Sequence, residues 1–105
     1  MKEAYVSIGS NIDASKNMQA VKSHLSIFDE IRYSSIYTTP AEGFEGEDFL
    51  NCVCNFRTAK SPYDLRNLLK RVERDMGRTT SQKGMSSRVI DLDLILYGDL
   101  VVHDS

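Results

Sequence analysis

Two helix-period patterns set among four alternating stretches predict an α/β (α+β) chain of order β-α-β-β-α-β. This is the ferredoxin-like arrangement, in which both helices cover one face of an antiparallel sheet. Three observations carry that expectation. The chain opens on alternation, EAYVSIG, with Ala4, Val6 and Ile8 facing one way before Gly9-Ser10-Asn11 signals a turn. Its clearest helix is marked at both ends. Ser61 caps it, Pro62 takes the first turn, Asp64 completes a capping box, and Gly77 ends a stripe of Leu65, Leu68, Leu69, Val72 and Met76. The last strand, Val89 to Tyr97, alternates so that Asp91 and Asp93 leave one face while Leu92, Leu94 and Leu96 leave the other.

The remaining elements follow in order. Met18, Val21, Leu25 and Phe28 recur at helical spacing, which places the first helix after the Gly9-Ser10-Asn11 turn. Tyr33 to Thr39 returns to β-rich residues and stops at Pro40. Phe49 to Arg57 alternates again, with Leu50, Cys52, Cys54 and Phe56 on one face and Phe49, Asn51, Val53 and Asn55 on the other. If the leucines of the last strand lie under the helices, the opposite face gathers Asp91, Asp93, Phe49 and Asn51. At 105 residues, 41% hydrophobic and 27% charged, the chain has room for one modest core and is expected to form one domain over residues 1–105.

Composition narrows the function classes. A net charge of −2 gives no general attraction to nucleic acid or anionic membrane, and no apolar run approaches the ~20 residues of a membrane span. MKEAYVSIGS has no signal-peptide core, so a cytoplasmic protein is expected, with Cys52 and Cys54 as reduced core residues. The charge is unevenly placed: Glu42, Glu45, Glu47 and Asp48 form an acidic loop, whereas Arg78 to Arg88 holds Arg78, Lys83 and Arg88 with no acid among them.

Two carboxylates on one face of a strand repel unless a cation stands between them. One reading is metal-assisted phosphoryl chemistry. Asp91 and Asp93 would hold Mg²⁺, Arg78 and Arg88 would neutralise phosphates, and the loop between the arginines would close over a nucleotide. The other is an exposed Asp pair laced to the same arginines by ordinary salt bridges. Asn51, in a strand where Asn is disfavoured, can donate and accept toward a heteroaromatic edge, and Phe49 can stack on such a ring or simply sit half-buried in the sheet. Glu73, flanked by Arg74 and Asp75, reads as part of a solvated charge run, His24 as a helix-surface residue, and His103 has no visible partners. A ferredoxin-like sheet can also present aromatics to single-stranded nucleic acid, but the two outward carboxylates oppose a phosphodiester backbone.

Arg88-Val-Ile-Asp91-Leu-Asp93-Leu-Ile, with Glu73-Arg-Asp-Met-Gly77-Arg78, Thr39-Pro40, Phe49-Leu50-Asn51 and Gly9-Ser10-Asn11 before it, closely resembles the 6-hydroxymethyl-7,8-dihydropterin pyrophosphokinase (HPPK) family of folate biosynthesis. The resemblance implies transfer of pyrophosphate from ATP to the pterin hydroxymethyl group. It implies two Mg²⁺ ions on Asp91 and Asp93, phosphates gripped by Arg78 and Arg88, ATP binding supported by Glu73, and a pterin pocket lined by Thr39, Pro40, Phe49 and Asn51. The expected partners are these small molecules, bound by a monomer. Two departures from the family pattern lead to an expectation of low transfer activity, or of a binding relative without it. Thr79, Thr80, Ser81 and Met85 stand where the catalytic loop usually has basic and aromatic residues, and nothing matches the family's usual segment beyond Val101-Val102-His103-Asp104-Ser105.

Overall fold

The computed structural model describes residues 1–79 and 87–102. The first strand, β1 (Lys2–Ser10), is the spine of an antiparallel sheet, paired on one side with β4 (Phe49–Thr58) and on the other with β5 (Asp91–Tyr97). β2 (Asp29–Tyr33) and β3 (Tyr37–Thr39) both pair with β4, and β6 (Leu100–Val101) pairs with the end of β5. The resulting order, β2-β4-β1-β5-β6, is that of a ferredoxin-like sheet with a short added edge.

Helices α1 (Ala14–His24) and α2 (Pro62–Asp75) cover one face. Alternation explains which one: Ala4, Val6 and Ile8 of β1, Cys52, Cys54 and Phe56 of β4, and Leu92 and Leu94 of β5 all point the same way and are buried against Met18, Val21, Leu65, Leu69 and Val72. Phe28 stacks on Phe56 with ring centroids 3.9 Å apart, closing the core beyond the end of α1. At the start of α2, the Asp64 amide donates to Ser61 Oγ at 3.1 Å with Pro62 in the first turn, and Gly77 ends the helix at φ +102°. Burial pushes the Cys54 thiol up to about 12 and raises that of Cys52, as expected of reduced core residues. Among the described residues no helix is long and apolar enough to cross a membrane.

Two expectations need correction. The β-rich stretch Tyr33 to Thr39 is not one strand: pairing begins earlier, at Asp29, and breaks between Tyr33 and Tyr37. At the break the Ser34 amide still donates to the Val53 carbonyl at 2.8 Å, while the Val53 amide donates to Ser34 Oγ, also at 2.8 Å, in place of a backbone carbonyl. Leu96 does not lie under the helices. β1 pairs Val6 with Leu94 but Tyr5 with Leu96, so Ile95 is an extra residue, and this bulge turns Leu96 to the open face while Tyr97 moves opposite buried Ala4.

Candidate active site

The open face of the sheet is organised by register. Gly9 pairs with Asp91 on one side and with Asn51 on the other, so carboxylate, bare backbone and carboxamide lie in one row across β5, β1 and β4. Ser7, flanked by Asp93 and Val53, forms the next row. A side chain on Gly9 would crowd the space between the two ends of its row: a Cβ there would lie 3.2 Å from Asn51 Oδ1 and 3.8 Å from Phe49 Cδ1.

At the acidic end, the cations next to Asp91 are guanidiniums. Arg78 Nη1 donates to Asp91 Oδ1 at 2.9 Å, and Arg88 Nη1 donates to Asp91 Oδ2 at 2.8 Å. Arg78 Nη1 also donates to Glu73 Oε2 at 2.8 Å and to the Ile90 carbonyl at 3.4 Å. The four side chains form an alternating chain, Glu73, Arg78, Asp91, Arg88, whose formal charges cancel. Mutual repulsion of Asp91 and Asp93 is therefore not the state of this face, because Asp91 is already neutralised.

Glu73 corrects the expectation of a solvated charge run. It is buried, at 6% exposure, and its Oε2 also accepts from the Leu92 amide at 2.7 Å. The reason lies in the sheet edge. Among the described residues β6 pairs with Leu96 and Tyr97 and none pairs with the outer side of β5 near Leu92, where α2 supplies an acceptor from above. Burial is the main influence on the Glu73 carboxyl and raises its pKa; the Leu92 amide and Arg78 pull the other way.

At the amide end, Asn51 Nδ2 donates to Thr39 Oγ1 at 2.9 Å, with longer contacts to the Tyr37 and Phe49 carbonyls at 3.3 and 3.4 Å. These bonds tie β3 to β4 and hold the carboxamide flat on the face. Phe49 is half-buried and meets Phe44 edge-on, with ring centroids 6.4 Å apart. Thr39 pairs with Phe49, and exposed Pro40 follows directly. The expected residues thus fall into two clusters: Arg78, Arg88, Asp91 and Asp93 by β5, with Glu73 reaching Arg78 from α2, and Thr39, Pro40, Phe49 and Asn51 by β4. The expected lid over a nucleotide falls on residues 80–86, which with 103–105 lie outside the described residues.

The sequence places Asn11 only in a turn. It is 3% exposed, and its Oδ1 accepts from the Arg88 amide at 2.6 Å while its Nδ2 donates to the Glu47 carbonyl at 3.1 Å and to Ser87 Oγ at 3.3 Å. A buried amide with donors and an acceptor all engaged fixes three backbone segments at once. An Asn directly after a strand hints at such a role, but its partners lie 36 to 77 residues away.

The model of the 7,8-dihydro-6-hydroxymethylpterin-pyrophosphokinase (HPPK) family matches residues 5–104. The chain belongs to this family. It is 32% identical over 106 residues to the 2-amino-4-hydroxy-6-hydroxymethyldihydropteridine pyrophosphokinase of Aquifex aeolicus, a match covering 98% of this chain and 66% of that protein. The protein of the same name from Bacillus subtilis is 33% identical over 100 residues, covering 90% of this chain and 59% of that protein. Folic acid synthesis protein fol1 of Schizosaccharomyces pombe is 40% identical over 106 residues, which are 95% of this chain and 14% of that protein. The chain thus spans about two thirds or less of the length of these relatives.

Proposed function

We propose that this HPPK-family chain transfers pyrophosphate from ATP to 6-hydroxymethyl-7,8-dihydropterin. The observation that carries the reading is the row Asp91-Gly9-Asn51. It puts an arginine-rimmed carboxylate and an aromatic-amide patch on one face, with bare backbone between them. In the reaction the hydroxymethyl oxygen attacks the β-phosphorus of ATP, the bond from that phosphorus to the oxygen shared with the α-phosphorus breaks, AMP leaves with that oxygen, and the hydroxyl proton is released.

Each residue has a task in this reading. Thr39, Pro40, Phe49 and Asn51 hold the pterin, the carboxamide on its heteroatom edge and the Phe49 ring against its face. Arg78 and Arg88 hold phosphate oxygens and carry charge that moves toward AMP, and Glu73 keeps Arg78 in place. The donor set suits Mg²⁺: Asp91 and Asp93 offer hard oxygens, and each Asp91 oxygen that accepts one guanidinium hydrogen has a second lone pair. Asp91 and Asp93 would hold two Mg²⁺ ions, which would supply Lewis-acid neutralisation of polyphosphate charge. The protein acts as a monomer in a reducing, cytoplasmic compartment, which the free, buried Cys52 and Cys54 fit.

The test is a paired assay of the purified chain with ATP and Mg²⁺, with and without the pterin, following AMP. Pterin-dependent AMP formation is expected. Nucleotide binding with no AMP would replace transfer by the reading of a non-catalytic binding relative. The rate, set beside that of a longer relative, tests the expectation of low activity.

A further inference from the structure

The Tyr37 side chain has no task in the pocket of Thr39, Pro40, Phe49 and Asn51, yet register puts it among them. Tyr37 pairs with Asn51 and Thr39 pairs with Phe49, so these four residues make a two-by-two block on the open face with the two aromatics at opposite corners. From this we infer that Tyr37 is a further substrate-binding residue, an aromatic wall that takes the pterin ring on the side away from Phe49. The inference rests on the pterin reading above and adds the residue that makes the pocket two-sided.

Exposure and spacing both point to a planar ligand. Tyr37 is 49% exposed, which leaves a large aromatic surface in water beside a carboxamide able to meet a heteroaromatic edge. Diagonal positions of an antiparallel pair stand roughly 7–8 Å apart, and a flat ring held between two others needs about 7 Å, two contacts of ~3.5 Å. The spacing therefore suits a single heterocycle. Its backbone is also fixed in advance, because Asn51 Nδ2 donates to the Tyr37 carbonyl at 3.3 Å and to Thr39 Oγ1 at 2.9 Å. The carboxamide that reads the pterin edge thus holds the strand that carries the second wall, and little ordering is left to be done on binding. A tyrosine serving only the strand propensity of β3 would differ in what its loss removes: stability, and not pterin affinity.

The test follows pterin binding by the quenching of 6-hydroxymethylpterin fluorescence, with Mg²⁺-dependent ATP affinity measured beside it by calorimetry. Tyr37→Ala is expected to weaken pterin binding about tenfold, the loss of one stacked face, with ATP affinity unchanged. Tyr37→Phe should bind the pterin as the wild type does. Tyr37→Leu keeps an apolar side chain on the strand but offers no ring; it should bind as weakly as Tyr37→Ala, and it guards against a loss that comes from poor folding. Wild-type pterin affinity in Tyr37→Ala or in Tyr37→Leu would overturn the inference, as would a Tyr37→Phe as weak as Tyr37→Ala. Failure of the parent reading looks different. A wild type that binds no pterin removes both, whereas an absence of AMP formation with these affinity differences intact removes transfer and leaves the wall in place.

Discussion

The two faces of this sheet are built from the same strands by different physics. On the helix-covered face, Val6, Cys54 and Leu94 are fully buried, and what stabilises them is apolar area removed from water. On the open face, Asp91, Gly9 and Asn51 are placed by cross-strand register, and Asp91 and Asn51 are held by ion pairs and hydrogen bonds whose partners come from the residues just after α2, from the stretch before β5 and from β3. The covered face tolerates any side chain of suitable shape and apolarity. The open face depends on the identity of individual atoms, so substitutions on the two faces should separate stability from function.

The largest effect is expected on the covered face. Phe56→Ala removes the ring stacked on Phe28 from the middle of the core and should cost about 3–5 kcal/mol in urea denaturation, enough to unfold much of the population. On the open face, replacing Asp91 and Asp93 together by Ala should lower Mg²⁺-dependent ATP affinity by about 100-fold or more, measured by calorimetry, while the circular dichroism spectrum is retained. Apo stability should fall rather than rise, because the arginines lose the partner they hold. Equal ATP affinity in this variant and in EDTA-treated wild type would remove the pair from the site.

Smaller effects test the supports. Ser61→Ala deletes the cap at the start of α2 and should cost about 1 kcal/mol in the same denaturation experiment, with ATP affinity unchanged. The slightest effect is expected from Glu73→Gln, and it should appear as a pH dependence. Burial raises the Glu73 pKa above 4.5, so between the unfolded and folded values the folded chain binds more protons than the unfolded one, and stability declines as pH rises through that window. Gln has no proton to lose. The stability difference between wild type and Glu73→Gln should therefore shift against the wild type as pH climbs from about 4.5 and become constant above the raised value; a difference independent of pH would show that burial does not govern this carboxyl.

Local pattern alone determined the helix-covered face, the start and end of α2, and the projection of Asp91 and Asp93 from one side of a strand. Alternation, capping residues and a terminal glycine act within a few positions of themselves, so their consequences can be read where they stand. Alternation within the expected fold also gathered Asp91, Asp93, Phe49 and Asn51 on the open face, and resemblance to a family went further by naming a pterin for that face, which no local rule supplies. Tertiary structure decided everything that depends on partners distant along the chain. Only the placement of β1 between β4 and β5 sets Gly9 between Asp91 and Asn51, and only the packing of α2 beside β5 brings the Glu73 carboxylate to the Leu92 amide. Leu96 is turned to the open face by one extra residue in a pairing that the sequence does not display, and a run of β-rich residues is divided at Ser34, whose Oγ takes the Val53 amide. Periodicity tells a side chain which way to point, but register and the hydrogen bonds left over at strand edges decide what it meets there.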